Sequence, residues 1–363
     1  MKELVPAQVR PPGAILKREL AARGWTQKDL AQILGRPPQV ITEIIRGTKQ
    51  ITPDTALELG AAFGNAPRLW TNLETEYRLH LARMKHPSGS SIERRAKIFQ
   101  RLPIAEIVRR GWIGGSSNVD ELERQVCEFL DIKSIDEDRP PIVNYRRSTD
   151  AEDVVAAQHA WVRRIEIVAA RQRVKGRFSA DRLRAALGSI RALARAEEDV
   201  AKVPPLLNSL GIRFVIVTHL PRTKVDGAAA RGPEGPIVAV SLRYNRIDWF
   251  WFTLMHELAH LALSHQKGHL DIFESGSATD DDERDANQYA GEALLRQTAL
   301  DAFLRAHRRS LSKEAIEVFA ASEQLHPGIV VGRLHFEKVI PFSHHRSYLV
   351  RVGHYLQAWT DPA

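Results

Sequence analysis

The residues best suited to chemistry stand at His256-Glu257-Leu258-Ala259-His260, inside the run 247–265. On a helix, positions four apart lie one turn above each other, so both imidazoles can reach one metal ion, and imidazole nitrogen suits zinc. Glu257 is turned by about 100° from His256, which brings its carboxylate within reach of a metal-bound water. Zinc lowers the pKa of that water, Glu257 takes its proton, and the hydroxide attacks a peptide carbonyl; the proton then passes to the leaving amine. A purely structural zinc would leave Glu257 without a task. Coincidental spacing among the 14 histidines is the other alternative. Against it, Phe250, Leu254, Leu258 and Leu261 follow the three-and-four spacing that anchors a helix in a core. Trp251 and Phe252 are assigned to packing.

A catalytic zinc takes three protein ligands and keeps one position open. His265 lies half a turn away from His256 on a continuous helix, and Gln266 stands where the extended metzincin form requires histidine. Glu283 is the leading third ligand, because Glu283, Ala286, Asn287 and Ala290 share one face of the next helix and the small residues permit close approach. Asp282, Asp285 and Glu292 remain alternatives, and the acids at 280–282 also complement a helix N-terminus. Tyr244, Arg243, His326 and Arg333 can each stabilise a tetrahedral intermediate, and none is assigned that role.

A second chemistry is carried by residues 25–49. Trp25 to Ala31, then Gly35 to Gly47, spell a helix, a tight turn and a second helix. Leu30, Ala31 and Leu34 face inward on the first, and Val40, Ile41, Ile44 and Ile45 on the second. Arg36, Gln39, Thr42, Glu43 and Arg46 are left pointing outward, on a helix of the width that fits a DNA major groove, where Gln pairs with adenine and Arg with guanine. Thr26 and Gln27 open the preceding helix and Lys49 follows the second one, positions suited to holding phosphate. The alternative is a helical bundle whose polar face is only solvated.

Positioning these groups takes several elements. Residues 13–84 read as short helices punctuated by Gly24, Thr26, Gly35, Pro37 and Thr52-Pro53. Residues 85–91 have a linker's composition. From 92 to about 210 the pattern stays helical, with three-and-four spacing over 151–170 and 180–196 and a loop at 136–141. Residues 212–217 and 236–242 are β-branched runs that form a small sheet. Helices follow near 247–264, 281–296 and 312–323. The expected domains are a helix-turn-helix unit at 1–86, a helical connecting region at 92–202, a metallopeptidase domain at 203–340 and a tail at 341–363. The fold class is mainly α with a small β-sheet (α+β).

The 363 residues carry a net charge of +8, suggesting an anionic partner. Residues 1–86 hold 13 Lys/Arg against 8 Asp/Glu, whereas 266–301 hold 3 against 9, so the basic and acidic chemistries are separated. The one cysteine, Cys127, excludes an intramolecular disulfide and any cysteine-based zinc ribbon. No apolar run approaches the roughly 18 residues of a membrane span, and Met1 to Gly13 lacks a signal peptide's apolar core. A cytoplasmic protein without membrane contact is expected.

The first region resembles the Xre/Cro helix-turn-helix proteins, and more narrowly the HigA-type antitoxins, through Pro12-Gly13, Thr26-Gln27, Ile51-Thr52-Pro53 and the run from Trp70 to Tyr77. The likeness covers nearly all of 10–84. It implies sequence-specific binding to double-stranded DNA, an operator or the chain's own promoter, as a homodimer on a palindrome. Pro38 and Glu43 occupy reading positions, so the preferred sequence does not transfer. From about Val203 onward the chain is similar to the ImmA/IrrE metallopeptidases, through the runs Asp248 to His260, Glu283 to Asn287 and His326 to Leu334. That family's Glu-x-x-Ala-Asn ligand falls on Glu283. The resemblance implies a minimal zincin, a small sheet beside a metal-bearing helix pair, with members that cleave or inactivate repressors in bacteria and mobile elements. Residues 92–200 resemble what joins the two parts in fused members. Ala259 and Tyr289 replace the Gly and Phe often seen.

Two functions follow. One is a DNA-binding regulator with a zinc endopeptidase that cleaves a repressor or partner protein. The other is an antitoxin-like autorepressor that binds a cognate toxin, its metal domain sensory or inactive.

Overall fold

The computed structural model describes residues 9–85, 91–137, 152–232, 234–263, 269–271, 281–307 and 310–362. The chain divides into two compact units, Met1–Glu93 and Arg94–Ala363.

The first unit holds α1 (Pro12–Arg23), α2 (Gln27–Ile33), α3 (Pro38–Arg46), α4 (Pro53–Phe63) and α5 (Pro67–Lys85). Its starts and stops follow local chemistry. Thr26 caps α2 in a reciprocal capping box with Asp29, Thr52 caps α4, and Pro12, Pro38 and Pro53 occupy first-turn positions where no amide is needed. Leu16, Leu30, Ile41, Ile44, Leu59 and Trp70 make the core. Gly13 on α1 lies directly against the end of α3: a β-carbon there would stand 2.3 Å from the Ile45 carbonyl oxygen. The Pro12-Gly13 pair therefore marks a close helix crossing.

The second unit begins with α6 (Ser91–Arg101), α7 (Ile104–Arg109), α8 (Val119–Leu130), α9 (Glu152–Ala170), α10 (Ala180–Ala192) and α11 (Val203–Ser209). A four-stranded sheet follows, made of β1 (Arg213–Ile216), β2 (Gly227–Gly232), β3 (Gly235–Val240) and β4 (His269–Asp271) in the order β1-β3-β2-β4. β1 runs parallel to β3, and β2 is antiparallel to both β3 and β4. The helix α12 (Ile247–Ala262) lies between β3 and β4 in sequence, and α13 (Asp281–Leu294), α14 (Gln297–Ala306), α15 (Lys313–Ser322) and α16 (Pro327–Phe336) complete the unit. Among the described residues no helix is long and apolar enough to cross a membrane.

Two of the four strands, β1 and β3, fall on the β-branched runs expected to form a sheet. β2 reads Gly-Ala-Ala-Ala-Arg-Gly, a run without β-branched residues, and becomes a strand because it is hydrogen-bonded on both sides. The second half of 180–196 tightens into a 3-10 turn at Leu193–Arg195. Residues 86–90 of the expected linker and 138–141 of the expected loop lie outside the described residues.

Side chains alternate across the sheet. Val215, Val217, Ala228, Ala230, Ile237 and Ala239 pack with Ile98, Ile107, Val126, Trp161 and Ile165, so part of the expected connecting region covers one face. Phe214, Ile216, Val238 and Val240 pack on the other face with Phe250, Trp251, Leu254 and Leu258 of α12. The expected tail joins the same unit: Val352 and Leu356 are core residues, and Thr360 bridges Ile216 at the edge of β1. Asp361 then receives both Arg164 nitrogens, Nε and Nη2, at 2.8 Å, with both residues buried. Asp361→Asn would leave the Arg164 guanidinium buried against an uncharged partner. We expect a loss of about 3 kcal/mol, seen as a lower denaturant midpoint, and recovery of most of it when Arg164→Met and Asp361→Leu are combined.

Candidate metal centre and nucleic-acid interface

Fourteen of the sixteen residues of α12 are buried, which its all-round apolar sequence requires. Set into this helix are His256 and Glu257, both 0% exposed, and His260, 1% exposed. The two Nε2 atoms stand 3.0 Å apart. On α13, Glu283, Ala286 and Ala290 are buried along one stripe, and the alanines bring that helix close enough for Glu283 to reach both imidazoles. Its Oε2 lies 3.5 Å from His256 Nε2 and its Oε1 3.6 Å from His260 Nε2.

These separations fit a single ion. Donors bound tetrahedrally at the usual zinc distances stand about 3.3 Å apart, and all three ligating atoms here fall within 4.8 Å of one another. Two imidazoles and one carboxylate, presented by two packed helices, make a three-ligand set of the kind that leaves a fourth position for water or substrate. The competing acids Asp282, Asp285 and Glu292 are not in this cluster: Asp285 and Glu292 are exposed, and a Glu292 oxygen accepts the Gln297 amide at 3.2 Å. Asp281 pairs with Arg284 on the surface. His265 and Gln266 lie outside the described residues.

Glu257 points toward the sheet, at the start of β2, where Gly227 and Thr253 border its carboxylate. Sequence analysis singles out neither of these two residues, because nothing local links position 227 to position 257. Phe252 is half-buried, its ring centroid 6.3 Å from that of His256 and 6.2 Å from that of Phe336, in keeping with a packing role.

The four groups considered for transition-state stabilisation have identifiable contacts. His326 caps α16, its Nδ1 accepting the Gly328 amide at 3.0 Å, and burial pulls its pKa down. Arg333 donates to Gln297 Oε1 at 2.8 Å and pairs with Glu337 at 2.8 Å. Arg243 donates to the Lys224 carbonyl at 3.0 Å and lies over the Tyr244 ring, which in turn meets Trp249 edge-on at 4.6 Å.

In the first unit, Gln39, Arg46 and Lys49 are exposed, as is Thr26. The Gln39 amide donates to Glu43 at 3.0 Å, and the Thr42 hydroxyl donates to Gln27 Oε1 at 3.0 Å, tying α3 to α2. The Thr26 hydroxyl is used in the capping box, and its amide and hydroxyl hold the Asp29 carboxyl below the usual carboxylate range. Arg36 departs from expectation. It sits in the turn before α3, not on the outward face of that helix, and its Nε and Nη2 hold the two Glu58 oxygens at 2.6 and 2.8 Å. The carboxylate that raises the Arg36 pKa also occupies the donors a guanine would need.

Comparison with known proteins follows the same division. Residues 16–70 match the helix-turn-helix family and residues 214–325 the IrrE N-terminal-like domain. The virulence-associated protein I of Dichelobacter nodosus is 42% identical over 72 residues, 20% of this chain and 67% of that protein. An uncharacterised helix-turn-helix transcriptional regulator of Escherichia coli K12, YddM, is 25% identical over 68 residues, 19% of this chain and 72% of that one. An addiction-module antidote protein of a HigA family from Coxiella burnetii is 37% identical, covering 22% of this chain and 86% of its own, with a TM-score of 0.21.

Purified without chelator, the protein is expected to carry one zinc per chain by mass spectrometry. His260→Ala and Glu283→Ala should each lose it, while Asp285→Ala keeps it. On DNA, Gln39→Ala and Arg46→Ala should weaken binding to the upstream promoter fragment more than Arg36→Ala. Arg36→Ala should instead lower stability by no more than about 1 kcal/mol, the range for a partly exposed ion pair.

Proposed function

We propose that this chain, which belongs to the Xre-like helix-turn-helix regulators through its first unit and carries an IrrE-like domain in its second, is a transcriptional regulator armed with a zinc-dependent endopeptidase. The first unit binds an operator as a homodimer, with Gln39, Thr42, Glu43 and Arg46 toward the bases and Gln27 and Lys49 toward phosphates, the Thr26 amide and hydroxyl being held by Asp29. The second cleaves a protein, a repressor or another partner, in the cytoplasm.

The observation that carries this reading is the convergence of His256, His260 and Glu283 from two helices, with Glu257 intact beside them. Zinc held by the three ligands supplies Lewis acidity to the water and the carbonyl that reach it. Glu257 lies outside the ligand set, and its role is proton transfer. Its carboxylate accepts the proton of the attacking water and returns it to the leaving amine. Its full burial limits competition from bulk water for that proton.

Glu257→Gln separates this reading from an antitoxin-like autorepressor with a sensory or inactive metal domain. The variant should keep its zinc and its operator affinity, and lose at least about 100-fold in cleavage rate, the typical contribution of a general base. The measurement is N-terminal labelling of a cell lysate incubated with either protein. New chain ends made by the wild type and absent with Glu257→Gln support the peptidase. The same ends from both proteins, or none from either, leave the autorepressor.

A further inference from the structure

β2 passes the metal helix at Gly227, opposite Thr253 and Glu257. Gly227 pairs with Val240 on one side and Asp271 on the other, so its backbone is fixed by two neighbouring strands. Alternate residues of β2 face opposite ways. Ala228 and Ala230 pack into the core that contains Trp161, and Gly227 looks toward α12. A β-carbon at Gly227 would stand 2.2 Å from Glu257 Oε1, 2.9 Å from Glu257 Cδ and 2.8 Å from Thr253 Cγ2. The carboxylate thus occupies the volume that any other residue's first side-chain atom would fill.

A backbone reason for the glycine is excluded, because Gly227 is not among the positive-φ residues. The requirement is for space, and at this end of the strand it arises first from the Glu257 carboxylate and second from the Thr253 methyl. Two positions on, Ala229 is also buried and carries its β-carbon. We infer that Gly227 is a positioning residue for Glu257: its missing side chain is the socket in which the carboxylate rests, and the doubly paired strand makes that socket rigid. Placement of a proton-transfer group has to hold within about 0.5 Å, and a long side chain needs a fixed wall to do so. This inference rests on the peptidase reading for its consequence, and on the socket geometry alone for its existence.

A methyl group at 227 would be relieved by movement of the Glu257 carboxylate, the mobile end of a flexible chain, in preference to the paired backbone. The three atoms nearest the added carbon belong to Glu257 and Thr253, and none to His256, His260 or Glu283. Gly227→Ala should therefore keep one zinc per chain and lose function at Glu257.

The test is a double-mutant cycle of Gly227→Ala and Glu257→Ala on the full chain, read in two ways. Thermal unfolding measures the clash: Gly227→Ala should lower the midpoint by several degrees when Glu257 is present and by at most half as much with Glu257→Ala, the residual coming from Thr253. The double variant also guards against failure of the single one to fold. Acetohydroxamate binding to the zinc-loaded proteins measures placement without turnover, because the hydroxamate gives its proton to a carboxylate beside the metal. Gly227→Ala should weaken it about 10-fold with Glu257 present, and not further once Glu257→Ala has been made. Equal losses in both backgrounds, or loss of zinc from Gly227→Ala, would overturn the inference. If the cycle shows coupling and no lysate protein is cleaved, the socket stands and the peptidase reading falls.

Discussion

Burial of charge is the constraint on which the second unit is organised. His256, Glu257, His260 and Glu283 are each less than a tenth exposed, among the buried Phe, Trp, Leu and Ala residues of α12 and the buried Ala286, Ala290 and Leu294 of α13. Ionisable groups taken out of water in such surroundings have to be paired or coordinated. The neighbouring elements are built around that demand. Small residues on α13 let Glu283 reach both imidazoles, and a glycine on β2 leaves room for Glu257. On the proposed reading a divalent cation offsets the burial of three of the four groups. The fourth, outside the ligand set, keeps a carboxylate for proton transfer.

A metal helix of this kind cannot stand on a bare sheet. One face of the sheet is filled by α12, and the opposite face by α6 to α9, whose residues lie before the strands in sequence. The closing segment seals the edge of β1 through Thr360 and the buried Arg164–Asp361 pair. What the sequence suggests as a connector, a domain and a tail is packed as one unit from Arg94 to Ala363. A parallel strand pair with both faces covered needs such layers, so the helical stretch contributes stability to the metal-bearing part besides spanning a gap.

The first unit obeys a different economy. Its core is small, and its helix ends are set by Thr, Pro and Gly at the expected positions. The outward residues Gln39, Arg46 and Lys49 are exposed, as the proposed DNA contacts require, whereas Arg36 serves the fold through Glu58. A cation beside the helix proposed to read DNA is therefore not by that fact a reader. The 22 residues from Arg36 to Glu58 hide that commitment from any local pattern.

Local features decided much in advance. The i, i+4 placement of His256 and His260 follows from the helical repeat, and the apolar positions around them make that helix certain to be buried. The Glu283, Ala286 and Ala290 stripe identified the third ligand candidate by the same periodicity. Helix caps and first-turn prolines drew the first unit with little error. Tertiary structure alone decided that an alanine-rich run becomes β2, that Gly227 faces Glu257, that Arg36 binds Glu58 and that Asp361 closes on Arg164. Periodicity and capping act over one or two turns and leave a trace in neighbouring residues. Each of the other outcomes depends on a contact between residues from about 20 to nearly 200 positions apart, β2 through its pairing with β4, and there only the folded packing determines which groups meet.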